Sequence, residues 1–161
     1  MTIIVTAGSD EKCAAVRTLG ADHAINYKTG DFVERVAAIT GGKGVQVVLD
    51  MVGGDYVPRN LKCLAEEGRH VSIAVQGGLM ATIPIFEVMR RRLTLTGSTL
   101  RTRSVDEKGV IARQVRDQVL PLFVDGRMKV VVHRVFPLRE AAEAHRVMEA
   151  SDHLGKIVLL A

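Results

Sequence analysis

The sequence predicts an α/β protein built on a doubly wound parallel sheet, and three observations predict it. Strand and helix signals alternate along all 161 residues. The third strand signal is apolar almost throughout, and glycines gather where strands end. Alternation implies parallel pairing, because a parallel connection needs a crossover, most often a helix. A continuously apolar strand is one covered on both faces.

Taken in order, Ile3-Ile4-Val5-Thr6 is a short β-branched strand followed by the turn Ala7-Gly8-Ser9. Residues 10–19 are helical through Cys13, Val16 and Leu19, with Ser9 placed to cap the free amides and Gly20 to end the helix. Residues 23–26 form the second strand. Phe32, Val36 and Ile39 mark a helix that stops at Gly41-Gly42. Val45-Gln46-Val47-Val48-Leu49-Asp50 is the third strand, followed by a helix over 55–65 and a strand over 69–75. Pro84 suits the first turn of a short helix with Phe86, Val88 and Met89, ahead of a strand over 93–97. Val110, Val115, Val119 and Leu122 share one face of a long helix. A strand over 130–136, a helix over 139–149 and a strand over 156–160 complete the series.

Composition excludes several classes. With 47% apolar and 25% charged residues the chain is globular rather than disordered. No apolar run approaches the ~20 residues of a membrane span, so no membrane partner is expected. A net charge of +4, spread over mixed-sign helices, gives no nucleic-acid footprint. Met1-Thr2-Ile3-Ile4-Val5 lacks the basic region and cleavage site of a signal peptide. Cys13 and Cys63 read as buried reduced thiols, and a cytoplasmic setting is expected. The five histidines show no zinc-ligand spacing, so no metal site is expected. No nucleophile triad stands out, and no catalytic acid or base is named. Arg90-Arg91-Arg92 reads as a solvated helix terminus, and Asp50 as the organiser of the turn after its strand.

In open parallel sheets, ligands bind beyond the carboxyl ends of the strands. Those ends are Ala7-Gly8-Ser9, Asn26-Tyr27-Lys28, Asp50-Met51-Val52-Gly53-Gly54, Ala74-Val75-Gln76-Gly77-Gly78 and Gly97-Ser98-Thr99-Leu100-Arg101. Together they predict a binding rim. A dinucleotide fold selecting NAD usually carries an acidic residue at the end of its second strand, accepting from the ribose 2′-hydroxyl. Here Gly8-Ser9 stand there instead, with Lys12 one turn into the helix. A small residue leaves room for a 2′-phosphate, a serine can donate to it, and a lysine neutralises it. Tyr27 could pack against adenine, hydrogen-bond the same phosphate, or simply be a half-buried aromatic at a strand end.

The strings Thr6-Ala7-Gly8-Ser9-Asp10-Glu11-Lys12, Leu19-Gly20-Ala21-Asp22-His23-Ala24-Ile25-Asn26-Tyr27, Gly44-Val45-Gln46-Val47-Val48-Leu49-Asp50-Met51-Val52-Gly53-Gly54 and Gly155-Lys156-Ile157-Val158-Leu159 occur in this order. In sequence and spacing the chain resembles the zinc-independent quinone oxidoreductases of the medium-chain dehydrogenase/reductase superfamily, and within them the NADPH:quinone reductase subgroup. The resemblance covers essentially the whole chain. It implies NADPH-dependent hydride transfer to quinones or related enone and carbonyl acceptors. It places Ser9, Lys12 and Tyr27 around the 2′-phosphate. Val52, Gly53, Val75, Gln76 and Gly77 would line the ribose and nicotinamide, with Ser98, Leu100 and Arg101 towards the nicotinamide end. A polar contact to the cofactor from the region of Ser151 and Asp152 is also implied, although relatives often carry Asn there. Relatives pair through the edge of the last nucleotide-domain strand, which implies a homodimer through residues 93–98.

The resemblance also implies what is not in these residues. A Rossmann-type unit opens with a strand and a glycine-rich turn that meets the pyrophosphate, and neither is present. Residues 1–128 are then expected to be a partial NADP-binding domain, and 129–161 the segment that in relatives returns to the catalytic domain. The isolated chain is expected to bind NADPH poorly and to lack activity, unless a second chain supplies the N-terminal half. Two alternatives stand beside this reading: an enoyl reductase of the same superfamily, and a non-catalytic nucleotide-binding or interaction module. A methyltransferase fold fails for want of a glycine-rich first turn followed by an acidic strand end.

Overall fold

The computed structural model describes residues 1–151 and 153–161. Strands and helices alternate as expected, and every pairing between named strands is parallel. The chain packs as two compact units, Met1–Thr102 and Arg103–Ala161.

The first unit holds β1 (Ile4–Ala7), α1 (Asp10–Thr18), β2 (His23–Asn26), α2 (Phe32–Thr40), β3 (Val45–Asp50), α3 (Tyr56–Cys63), β4 (Leu64–Ser72), α4 (Ile85–Arg90) and β5 (Thr94–Gly97). Ser9 caps α1, its hydroxyl oxygen accepting from the Lys12 amide at 3.2 Å. Asp31 caps α2 through the Val33 amide at 2.7 Å. That bond, with the Arg59 guanidinium 3.4 Å away, holds the Asp31 carboxyl below its ordinary range. Gly41, in the left-handed region at φ 59°, ends the helix.

β1 pairs with β2, while β3, β4 and β5 form a separate three-stranded sheet. One core nonetheless serves both. Ile25, Phe32, Val36 and Cys63 are buried together, with Ile4 of β1 and Val45 and Val48 of β3 packed against them. Burying a Phe or Val side chain fully contributes about 1.5–3 kcal/mol, so α2 and α3 hold the two sheets in one unit. In a doubly wound order of 3-2-1-4-5-6, the second and fourth strands flank the first. Here those positions are β1 and β3, and among the described residues no ladder joins them. The break between the sheets lies where that order sets its first strand.

Two elements differ from expectation. β4 starts at Leu64, directly after α3, rather than at residue 69. Its ladder with β3 skips from Val45↔Leu64 to Val47↔Arg69. The intervening residues bulge outward, with Glu67 at φ 59° and its amide bonded to the Arg91 carbonyl at 2.9 Å. The short polar run Glu66-Glu67-Gly68 had concealed a strand that continues on both sides of a bulge. In the second unit, the long helix predicted through Leu122 is two helices, α5 (Val105–Gln118) and α6 (Leu120–Val124). Pro121 supplies no amide for a continuing helix, and the chain turns at Val119.

The rest of the second unit is β6 (Val132–Pro137), a single 3-10 turn (Leu138–Glu140), α7 (Ala141–Glu149) and β7 (Lys156–Leu160). β6 and β7 pair in parallel, and Phe136 is 1% exposed. Among the described residues no helix is long and apolar enough to cross a membrane.

Cys13 and Cys63 are both buried and free. Burial pushes the Cys63 thiol up to about 11 from an ordinary 9.0. The unfolded chain therefore releases this proton first. The thiol's contribution to stability is complete below about pH 9 and is lost as pH rises towards 11. Native Cys63 is expected to resist iodoacetamide at neutral pH and to react on unfolding. Urea midpoints should fall between pH 9 and 11, with a shallower fall in Cys63→Ala.

Candidate functional site

The predicted site residues fall into two groups of strand ends within the first unit. The first surrounds the turn from β1 into α1. Ser9 takes extended backbone, φ −156° and ψ 161°, and accepts from the Lys12 amide, which leaves the hydroxyl's own proton to give to a ligand. Tyr27 lies over the same turn. A Cβ on Gly8 would sit 2.8 Å from the Tyr27 hydroxyl and 3.5 Å from Lys28 Cε. Glycine at position 8 thus lets the Tyr27 hydroxyl close over the N-terminus of α1, with Lys28 beside it, where free amides and the helix dipole favour an anion. Asn26 fixes this arrangement. Its amide donates to Asp10 at 2.8 Å, and its oxygen accepts from the Lys28 amide at 3.1 Å. Asp10 is therefore tied to the end of β2, in keeping with its reading as a turn residue.

The second group is built on Asp50, 3% exposed at the end of β3. Its carboxylate accepts from the Val52 amide at 2.8 Å and from the Gly53 amide at 3.2 Å, and so organises the turn as expected. Gly53 and Gly54 take φ 69° and 52°. The turn lies against the extension of β4: the Gly77 amide donates to the Val52 carbonyl at 2.7 Å, and Gly53 bridges Gly78. Val52, Gly53, Val75, Gln76 and Gly77 are accordingly brought together. Val75 and Gln76 are exposed, while Gly53 is buried. Ser98 joins them through its amide, bonded to the Ser72 carbonyl at 3.0 Å. Leu100 and Arg101 are exposed beyond β5.

Tyr56 links the two groups. It begins α3 immediately after the glycine turn, its amide bonded to the Gly53 carbonyl at 3.1 Å. Its ring meets Tyr27 edge-on at 6.4 Å and stacks on Phe32 at 5.5 Å. Arg59 lies 4.2 Å over the Phe32 ring. Tyr56 stands outside the strand ends that the sequence marks, whereas Asn26 and Lys28 belong to the end Asn26-Tyr27-Lys28 without a role of their own there.

Other residues resolve differently. Arg91 is not a solvated terminus: its guanidinium donates to the carbonyls of Leu61, at 3.0 Å, and Leu64, where α3 passes into β4. Arg92 pairs with Glu66 and Glu67 at 3.1 Å each, bracing the bulge. Arg91→Ala is expected to cost about 1.5 kcal/mol, the scale of a hydrogen bond from a charged donor. Denaturant titration with Arg91→Lys as control checks this. Ser151 takes φ 57°, and Asp152 lies outside the described residues. An apolar depression of about 450 Å³ in the second unit, between Val135 and Leu160, carries none of the predicted site residues. Among the described residues, no three His, Cys, Asp or Glu side chains group as a metal would require.

The sequence profile of the zinc-binding dehydrogenases matches residues 19–159. The chain belongs to the zinc-binding dehydrogenase family. Within it, the chain is similar to the 2-haloacrylate reductase of Burkholderia sp, 37% identical over 99% of this chain and 48% of that protein. It is likewise similar to quinone oxidoreductase-like protein 2 of Bos taurus, 32% identical over 98% of this chain and 45% of that one. Among solved structures, the Escherichia coli quinone oxidoreductase complexed with NADPH superposes with a TM-score of 0.85 at 30% identity, over 99% of this chain and 49% of that one. This zinc-binding dehydrogenase chain thus spans about half the length of the relatives it matches. The mixed α/β fold and its parallel pairing are those of the family's C-terminal, nucleotide-binding portion.

Proposed function

We propose that this chain forms most of the NADPH-binding half of an oxidoreductase that passes a hydride to quinones or related enone and carbonyl acceptors. The observation that carries the reading is the convergence of Ser9, Tyr27 and Lys28 on the Gly8 turn, with no acidic residue ending β1. This donor set fits a phosphate better than a ribose hydroxyl. Ser9, Lys12 and Tyr27 hold the 2′-phosphate, and Lys28 adds a second cation. Val52, Gly53, Val75, Gln76 and Gly77 line the ribose and nicotinamide, with Ser98, Leu100 and Arg101 towards the reacting end. When bound, NADPH supplies the hydride; the chain's residues bind and orient it and exclude water. Zinc has no part in this reading, which places the chain with zinc-independent enzymes despite the family's name.

Residues 1–128 serve the nucleotide and 129–161 rejoin the catalytic domain. The outer edge of β5, exposed at all four residues, serves a homodimer. A cytoplasmic setting suits a soluble reductase of this kind. The similarity to a 2-haloacrylate reductase favours a second reading of the acceptor, an alkene conjugated to a carboxylate; an enoyl reductase is the same chemistry.

Isothermal titration of the purified chain with NADPH and NADH tests the cofactor, and quinone and haloacrylate turnover tests the acceptor. Alone, the chain is expected to bind NADPH weakly and to turn over neither acceptor. Mixing it with a chain that carries the glycine-rich turn and catalytic domain should restore both. Equal affinity for NADH and NADPH in the restored pair overturns the reading.

A further inference from the structure

Two buried polar side chains behind the glycine turn have no place in the cofactor reading above. Asp50 and His70 are each 2% exposed at the side chain, and His70 Nε2 lies 3.2 Å from Asp50 Oδ2. The β3–β4 register sets Val48 beside His70 and Asp50 beside Ser72. Asp50 and His70 therefore share one face of the sheet, with His70 a step behind the turn. An ionised carboxylate only accepts hydrogen bonds. Donation from His70 to such a carboxylate requires the ring proton on Nε2.

We infer that His70 and Asp50 form a positioning pair that fixes the Val52-Gly53-Gly54 turn and, through it, the cofactor-facing segment 75–78. Proton donors converge on the carboxylate from two directions. His70 donates from β4, and the amides of Val52 and Gly53 donate from the turn, with Gly53 within 3.3 Å of both carboxylate oxygens. The turn in turn grips the β4 extension through Val52 and Gly77, through Met51 and Gln76 at 3.2 Å, and through the Gly53–Gly78 bridge. Movement of the carboxylate therefore moves both segments. A buried carboxylate is costly unless its acceptor sites are filled, and an apolar pair would fill the same volume. What an apolar pair lacks is the ability to hold two turn amides in one geometry. His70 keeps the carboxylate aimed at them. The inference rests on the cofactor reading for the role of the rim, and on geometry alone for the coupling.

Nitrogen-detected NMR of the chain tests the coupling without cofactor. The His70 ring is expected to show the Nε2–H tautomer; the Nδ1–H tautomer overturns the pair. In His70→Gln the side-chain amide can replace the donor, so Gly53 and Gly77 amide shifts should stay near those of the native chain. In His70→Leu those amides should move, and Gly53 should exchange about tenfold faster with solvent, as loss of a charge-assisted hydrogen bond implies. A folded His70→Leu with native glycine shifts refutes the inference. If His70→Leu does not fold, His70→Gln decides alone: displaced glycine amides there refute it equally. Adding NADPH to the chain mixed with one that carries the glycine-rich turn and catalytic domain tests the other half. Unmoved Gly53 and Gly77 resonances would reject the cofactor reading while leaving the coupling in place.

Discussion

Gly53→Ala is expected to destabilise the first unit by about 2–6 kcal/mol and to dismantle the rim behind it. Two costs combine. At φ 69° a residue with a Cβ occupies the left-handed region, which costs on the order of 1–3 kcal/mol for a non-glycine residue. The added Cβ would also lie 2.8 Å from the Gly78 carbonyl oxygen and 3.2 Å from Val75 Cα. Both obstacles are backbone, so no side-chain rotation relieves the contact. Overpacking of this kind costs roughly 1–3 kcal/mol. The turn must retreat from segment 75–78, breaking the Gly53–Gly78 bridge. Urea unfolding should show the loss, and the amides of Gly77 and Gly78 should lose protection from exchange. A useful contrast is Gly42→Ala. Gly42 has a similar φ of 77° but meets nothing within 4 Å, so it carries only the conformational part. If the two variants lose equal stability, close approach of the backbones contributes nothing at Gly53.

How far the sequence reached can be judged from such positions. Strand ends were legible because glycine, serine and asparagine interrupt β-branched runs there, and Ser9 and Asp50 act as local chemistry required. Both bond to amides two or three residues away, within the range that sequence spacing can address. His70 was not legible. It lies inside a strand between Arg69 and Val71, and its partner is 20 residues distant; only the parallel register makes them neighbours. Arg91 was hidden for the opposite reason. Three adjacent arginines look alike as a charge run, yet one is directed inward to backbone carbonyls and its neighbours to carboxylates. The apolar spacing that continues through Leu122 hides the helix break, although Pro121 has no amide to continue α5. Lys28 lies two residues beyond the end of β2, and the absence of a Cβ at Gly8 is what admits the neighbouring Tyr27 hydroxyl. Long-range register and steric permission are thus what the sequence withheld.

Lys12→Ala is expected to weaken NADPH binding by about 10- to 100-fold and to leave NADH within about threefold, measured in the chain mixed with one that carries the glycine-rich turn. The magnitude follows from losing one hydrogen bond between charged groups, worth about 1.5–3 kcal/mol. The selectivity follows from position. Lys12 stands one turn into α1, beside the Ser9 cap, and the proposed site sets there the one phosphate by which the cofactors differ. Lys28, whose Cε reaches within 3.5 Å of the space a Gly8 Cβ would fill, approaches from β2. Two cations on separate elements should share the phosphate, so Lys28→Ala should show the same preference with a smaller loss. The double variant should lose more than either single change and approach equal affinity for the two cofactors. Salt provides an independent check, since screening weakens contacts to the exposed phosphate. Raising ionic strength should therefore reduce NADPH affinity more steeply in the native protein than in the double variant, with NADH nearly indifferent in both. Serine should act differently. Ser9→Ala removes the α1 cap as well as a donor, so its effect should appear in thermal stability and in both cofactors, whereas Lys28→Ala should melt as the native chain does. Equal losses of NADH and NADPH in Lys12→Ala would place that lysine outside the phosphate site.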